Sequence, residues 1–281
     1  MLKEAMHIAV PTAFHEDESL HVEGTLAHIR YLYSQGVRSV LVCGSTGEQH
    51  SMNLEEKLTL LHALSADKGL MTDMEILFGV ASIRQVEAVQ LASEISATEI
   101  AGILLGFPPY ILPSQAEAVR YSERIVEASN KPAIIYNNPR RTGFDLSVES
   151  ILHLCRLDLV IGIKEAGDSA KVQQLREKLG KEFYYYAGGD IDLEGKVQQG
   201  FNRLSSMAGN LYPVEIYEWF TQLLSGHPVS PSEKEQAAVR INEVFSGAPL
   251  QNIKRGIREK GIAMGICRSP LGNAADDRVR R

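Results

Sequence analysis

Short runs rich in Val, Ile and Leu recur along the chain, each followed by a longer stretch whose apolar residues fall three and four apart. The short runs read as parallel strands buried on both faces, and the longer ones as amphipathic crossover helices. The strand-like runs are His7 to Phe14, Ser39 to Gly44, Glu75 to Ala81, Gly102 to Phe107, Pro132 to Asn138, Val160 to Glu165, Phe183 to Gly189 and Arg203 to Ala208. Between them, segments such as Thr25 to Leu32 and Arg84 to Ile95 keep helical spacing. Helix starts carry their own signals: Ser114-Gln115-Ala116-Glu117 has the capping-box pattern, and Asn53 stands three residues before Glu56.

Strand and helix alternate about eight times, the number that closes a (β/α)8 TIM barrel. An open doubly wound sheet would carry a Gly-rich dinucleotide fingerprint after its first strand, but Glu16-Asp17-Glu18 stands there. Beyond Gly226, Pro228-Val229-Ser230-Pro231-Ser232 breaks the pattern, and two further helices, about Ser232 to Phe245 and Leu250 to Ile266, have no strand between them. The expectation is an α/β barrel over residues 1–226 followed by a C-terminal helical appendage over 227–281. The basic end Arg278-Val279-Arg280-Arg281 reads as a solvated tail.

Composition narrows the class without changing the fold. With 44% hydrophobic and 23% charged residues among 281, the chain can bury a sizeable core and is not a disordered one. A net charge of −6 argues against a nucleic-acid partner. Cys43, Cys155 and Cys267 are widely spaced and odd in number, which suits a reducing, cytoplasmic compartment better than a disulfide scaffold. No apolar run reaches the ~20 residues that span a bilayer, and the start lacks a leader pattern, so no membrane partner is expected.

Barrel enzymes build their sites at the carboxyl ends of the strands, so polar residues there are the ones to weigh. The second run ends in Cys43-Gly44-Ser45-Thr46-Gly47-Glu48, the fifth in Tyr136-Asn137-Asn138-Pro139-Arg140-Arg141-Thr142-Gly143, and the sixth in Lys164-Glu165. Taken singly, these are a turn composition, a core aromatic and a solvated charge. Taken together, they place two hydroxyls, a phenol, a guanidinium and an amine at one mouth. An amine among apolar neighbours loses stabilisation of its charged form, so more of it is nucleophilic at neutral pH. Such an amine attacks a ketone, and a nearby phenol with a hydroxyl relay can move the protons that imine formation requires.

These residues resemble the dihydrodipicolinate synthase/N-acetylneuraminate lyase family of class I pyruvate aldolases and lyases. Gly44-Ser45-Thr46-Gly47-Glu48 is similar to the family's Gly-Thr/Ser-Thr-Gly-Glu motif, Tyr136-Asn137-x-Pro139 to its Tyr-Asn-x-Pro motif, and Gly162-Ile163-Lys164-Glu165 to its Gly-x-Lys-Glu/Asp motif. The likeness covers nearly all of the barrel. It implies that Lys164 forms a Schiff base with pyruvate, that Tyr136 donates and accepts protons, and that Ser45 with Thr46 binds the pyruvate carboxylate and relays protons. No further cofactor and no metal is implied.

Within the family, the resemblance is closest to dihydrodipicolinate synthases. There the arginine matching Arg141 binds the carboxylate of aspartate semialdehyde, a task suited to planar paired donors. Tyr110 matches a tyrosine that crosses a subunit interface to complete the hydroxyl relay, implying a homo-oligomer, dimer or tetramer. Gly189-Asp190 resembles the synthases' Gly-Asp, and Ser205 falls where they carry an apolar residue whose backbone faces the site. In synthases inhibited by lysine, the family pattern places polar residues where this chain has Leu54, Lys57, Ile83 and Pro109, with Glu87 retained. Ser45 stands for the commoner Thr, and Pro109 for a usual Tyr. The expected partners are pyruvate and an anionic aldehyde. Three alternatives stay open: a member acting on 2-keto-3-deoxy sugar acids or N-acetylneuraminate, a metal-dependent barrel enzyme, and a non-catalytic pyruvate sensor. For the metal reading, His7, His15 and His50 come near strand ends without a ligating pattern, so they read as satisfied or solvated histidines.

Overall fold

The computed structural model describes residues 2–180, 182–226 and 229–271; Pro228 and the basic end 278–281 lie outside them. Eight parallel strands close into a barrel in sequence order: β1 Met6–Ala9, β2 Ser39–Val42, β3 Glu75–Val80, β4 Gly102–Gly106, β5 Ala133–Asn137, β6 Val160–Glu165, β7 Tyr184–Gly188 and β8 Arg203–Ser206. This is the TIM barrel expected from the alternation. The outward face of each strand packs under the surrounding helices, through residues such as Ile8, Val40, Phe78 and Ile135. The inward face, with Ala9, Leu41, Leu77, Leu104, Ile134 and Tyr186, fills the barrel itself. Burial on both faces explains why the strands read as continuous apolar runs.

Two boundaries differ from the expectation. The first strand was expected to reach Phe14 but ends at Ala9. Val10 still donates its N–H to Leu41 O at 3.0 Å, but Pro11 has no N–H to continue the ladder. The last helix, Pro249–Glu259, stops seven residues short of the expected Ile266; Gly261 there takes φ +82°, a left-handed turn that ends a helix. The capping signals hold: Asn53 Oδ1 accepts from Glu56 N at 2.9 Å while Glu56 Oε2 accepts from Asn53 N at 3.0 Å, and Ser114 with Glu117 forms the same box.

After the barrel, helices Pro231–Phe245 and Pro249–Glu259 bring Val244, Ile253 and Ile257 into the cluster that also packs the barrel's outer face. No helix among the described residues is long and apolar enough to cross a membrane.

Candidate active site

The ladder registers decide which side chains meet inside the barrel. Tyr136 pairs with Lys164 across β5 and β6, Lys164 with Tyr186 across β6 and β7, and His7 with Ser205 across β1 and β8. Lys164 is 7% exposed, and its Nζ donates to Ser205 Oγ at 2.8 Å while sitting 4.5 Å from the centroid of the Tyr136 ring.

Beyond β2 the chain turns sharply, with Cys43 at φ +56°. Gly79 of β3 makes the turn possible: a Cβ there would meet Cys43 O at 2.1 Å, so only glycine lets the loop lie this close. Thr12 Oγ1 donates to Gly47 O at 2.7 Å and pins the far side of the loop. Ser45 is thereby held at the mouth. After β5, Pro139 opens the short helical turn Pro139–Thr142, where its missing N–H costs nothing, and that turn carries Arg141 over the cavity. The cavity holds about 320 Å³ and is lined by Ser45, His50, Gly106, Tyr136, Asn138 and Arg141, among others. Among the described residues, Arg141 forms no ion pair.

Electrostatics follow from this crowding. Burial lowers the Lys164 pKa; the Tyr136 phenol opposes this, and the lesser effects are the Arg141 charge, which lowers it further, and Asp190, which raises it. Burial alone would raise the Tyr136 phenol. The Lys164 charge, hydrogen bonds from Asn138 and Ser45, and Arg141 together outweigh it, and the phenol lies below its ordinary range. Asn138 Nδ2 donates to Tyr136 Oη at 2.6 Å, so the amide favours the phenolate. Asp190 accepts from Ser206 Oγ at 2.5 Å, Met207 N at 2.8 Å and Ala208 N at 3.0 Å, which fixes the end of β8 beside Ser205.

Of the residues singled out in the sequence, Lys164, Tyr136, Ser45 and Arg141 are brought together, and Ser205 joins them through its hydroxyl rather than its backbone alone. Thr46 is buried and, unlike Ser45, does not line the cavity. Gly189 lies in a neighbouring pocket with Glu165 and Asp190, where its carbonyl accepts from Lys196 Nζ at 3.1 Å. Tyr110 stands outside the cavity, 90% exposed and at φ +73°. His7 corrects an expectation. It is fully buried, but neither ring nitrogen has a hydrogen-bond partner among the described residues, so it is neither satisfied nor solvated. Asn138 joins the site without a chemical signal of its own in the sequence, although the period of two along a strand puts it on the same side as Tyr136. His15 is exposed and His50 lies at the cavity rim. Among the described residues there is no group of three or more His, Cys, Asp or Glu side chains arranged to hold a metal.

A closed parallel barrel with a buried lysine beside a phenol near its carboxyl mouth has the architecture of a barrel enzyme. The comparisons sharpen this: a model of the dihydrodipicolinate synthetase family matches residues 3–280, and the chain belongs to that family of lyases. The 4-hydroxy-tetrahydrodipicolinate synthase of Lactobacillus acidophilus is 27% identical over 271 residues, covering 96% of this chain and 86% of the relative. That of Idiomarina loihiensis is 32% identical over 222 residues, 78% of this chain and 70% of the relative. Among solved structures, dihydrodipicolinate synthase from Aquifex aeolicus aligns with a TM-score of 0.85 at 22% identity, covering 99% of this chain and 96% of the other. A variant of the 2-keto-3-deoxygluconate aldolase from Sulfolobus solfataricus aligns at 0.81 and 21%, covering 98% and 92%. The two structural likenesses concern the fold.

Proposed function

We propose that the enzyme condenses pyruvate with L-aspartate semialdehyde through a Schiff base on Lys164. The observation that carries this reading is the buried Lys164 amine, 4.5 Å from the centroid of the Tyr136 ring, which itself lines a cavity together with Ser45 and Arg141. The neutral amine attacks the keto carbon of pyruvate, whose carboxylate is taken by the Ser45–Thr46 loop. The carbinolamine loses its hydroxyl as water when Tyr136 supplies a proton, and the imine then gives up a methyl proton to become an enamine. The enamine carbon attacks the aldehyde carbon of the second substrate: the new C–C bond forms as the aldehyde π pair moves to its oxygen, which takes a proton, and the imine so regenerated is released when the substrate's own amine attacks it and displaces the Lys164 amine. Arg141, exposed and without a carboxylate partner among the described residues, offers two parallel donors to that substrate's carboxylate.

Tyr110, Ile111 and Leu112 form an exposed apolar stretch, with Ile83 and Val86 also exposed. A bulky residue held at φ +73° in open solvent is an outlier that a partner surface would account for. The reading therefore includes a homo-oligomer in which Tyr110 completes the hydroxyl relay of a second copy.

His50, Gln49 and Asn138 also line the cavity and favour a second reading, in which the substrate is a hydroxylated 2-keto acid such as 2-keto-3-deoxygluconate or N-acetylneuraminate. One panel separates the two. Pyruvate is paired with aspartate semialdehyde, and each sugar acid is offered alone for cleavage. Turnover confined to the first arm supports the synthase, and cleavage of a sugar acid in its place overturns it.

A further inference from the structure

Two groups beneath the mouth are not used by the reaction as written. Ser205 accepts a hydrogen bond from Lys164 Nζ at 2.8 Å, and His7 is its register partner across β1 and β8. Register partners on adjacent strands emerge on one face of the sheet, with backbones about 4.8 Å apart. Here that face is the barrel interior: the His7 ring stacks on Tyr186 with centroids 5.0 Å apart, and Tyr186 belongs to the inner core. Both ring nitrogens of His7 are buried without a partner among the described residues. An imidazole left this way costs stability that a phenyl ring in the same place would not.

We propose that His7 is a positioning residue that sets the direction of the hydrogen bond between Ser205 and the Lys164 amine: a His7 ring nitrogen accepts a hydrogen bond from the Ser205 hydroxyl, so that the hydroxyl can only accept from the amine. A neutral amine has two N–H bonds and one lone pair, and that lone pair must reach the keto carbon. A serine with an uncommitted proton would donate to the lone pair and quench it. A serine whose proton is committed elsewhere takes an amine N–H and leaves the lone pair facing the cavity. Burial, with the Lys164 charge adding to it, holds His7 well below its ordinary pKa, which keeps the ring neutral with one nitrogen able to accept. In the structure neither His7 nitrogen has a hydrogen-bond partner among the described residues, so the contact requires the His7 ring or the Ser205 side chain to turn toward the other; no proton is transferred.

The inference rests on Lys164 acting through an imine, so its test measures that step alone, as the time course of borohydride-trapped pyruvate adduct on Lys164. His7→Phe keeps a ring against Tyr186 and deletes both nitrogens. It should form adduct about tenfold more slowly. His7→Gln restores an acceptor and should recover most of the rate. Ser205→Ala should slow adduct formation, and adding His7→Phe to it should cost nothing further, because no hydroxyl remains to be oriented. Wild-type rate in His7→Phe, or effects that multiply in the double variant, would overturn the proposal. Should His7→Phe not fold, His7→Leu makes the same comparison. A wild-type enzyme that gives no Lys164 adduct overturns the imine reading itself, an outcome visible before any variant is made.

Discussion

Lys254 Nζ lies 2.5 Å from Glu48 Oε1, and both side chains are sealed from solvent at 1% and 0% exposure. Glu48 closes the loop that presents Ser45 and Thr46, and it sits in the left-handed region at φ +52°. Its other oxygen accepts from Arg268 N at 2.9 Å. The helix Pro249–Glu259 and the segment after it therefore fasten the hydroxyl loop from outside the barrel, tying the C-terminal helices to the chemistry.

Removing one partner leaves the other charge buried and alone. Lys254→Met should cost about 3–5 kcal/mol, while Lys254→Met with Glu48→Gln should recover much of that loss. Denaturant unfolding of the three proteins checks it. Equal losses in the single and double variants would show that the pair does not hold the loop.

The strands and the core of the site are legible in the sequence for a shared reason. Each strand is buried on both faces and so reads as an apolar run, which makes a lysine, a phenol and a hydroxyl loop conspicuous where the runs end. The end of β1 is not legible from apolarity, because Val10, Ala13 and Phe14 are as buried as the strand and only the missing N–H of Pro11 stops the ladder. His7 is not legible either. A lone histidine in an apolar run looks like a satisfied core residue, and its neighbour Ser205 comes from the opposite end of the barrel sequence, joined only when β1 and β8 close the ring.

Lys164→Met should abolish the borohydride-trapped adduct and raise the unfolding temperature. The folded Lys164 pKa is depressed by burial, so its contribution to stability is present above the unfolded value and is lost as pH falls through the folded one. Methionine removes that liability, and the gain over wild type should grow as pH is lowered. A destabilised Lys164→Met would contradict the depressed pKa.

Tyr136→Phe and Arg141→Ala should fail differently. Loss of the phenol removes proton transfer and should lower kcat by roughly 10²-fold or more. Loss of the guanidinium should raise KM for the anionic second substrate by about 10- to 100-fold while adduct formation with pyruvate persists. Steady-state kinetics in each substrate separate the two. Unchanged aspartate semialdehyde kinetics in Arg141→Ala would make a sugar acid the leading substrate.

His28 supplies an acid-sensitive element away from the site. It is fully buried, its Nε2 donates to Asn210 Oδ1 at 2.8 Å, and it is pushed down to about 4, chiefly by burial. The depressed pKa means that its stabilising contribution is present above the unfolded value of 6.5 and is lost as pH falls toward 4, by about 3 kcal/mol in all. Unfolding free energy measured across that window should fall steeply in the wild type and less so in His28→Gln. Parallel curves would assign the acid sensitivity elsewhere.

Insensitivity to L-lysine is the last expectation, and the structure gives it a location. Lys57, Ile83, Glu87 and Pro109 line one pocket beside the active-site cavity, sharing Gln49, His50, Ala81 and Pro109 with it, whereas Leu54 does not reach it. Lys57 Nζ occupies two acceptors, Gln49 Oε1 at 3.1 Å and Ala81 O at 3.0 Å. Glu87 is engaged by Ser82 Oγ at 2.8 Å and Arg84 at 3.0 Å. A cationic effector would therefore meet a buried ammonium, find its carboxylate partner already committed, and gain no hydrogen bond from Ile83 or Pro109. Each lost interaction removes about 1–3 kcal/mol, and two or three of them at about 2 kcal/mol each take a micromolar ligand to the millimolar range or beyond. Initial rates should stay flat as lysine is raised through that range. Inhibition at sub-millimolar lysine would mean that the pocket rearranges to release Glu87 and to turn Lys57 aside.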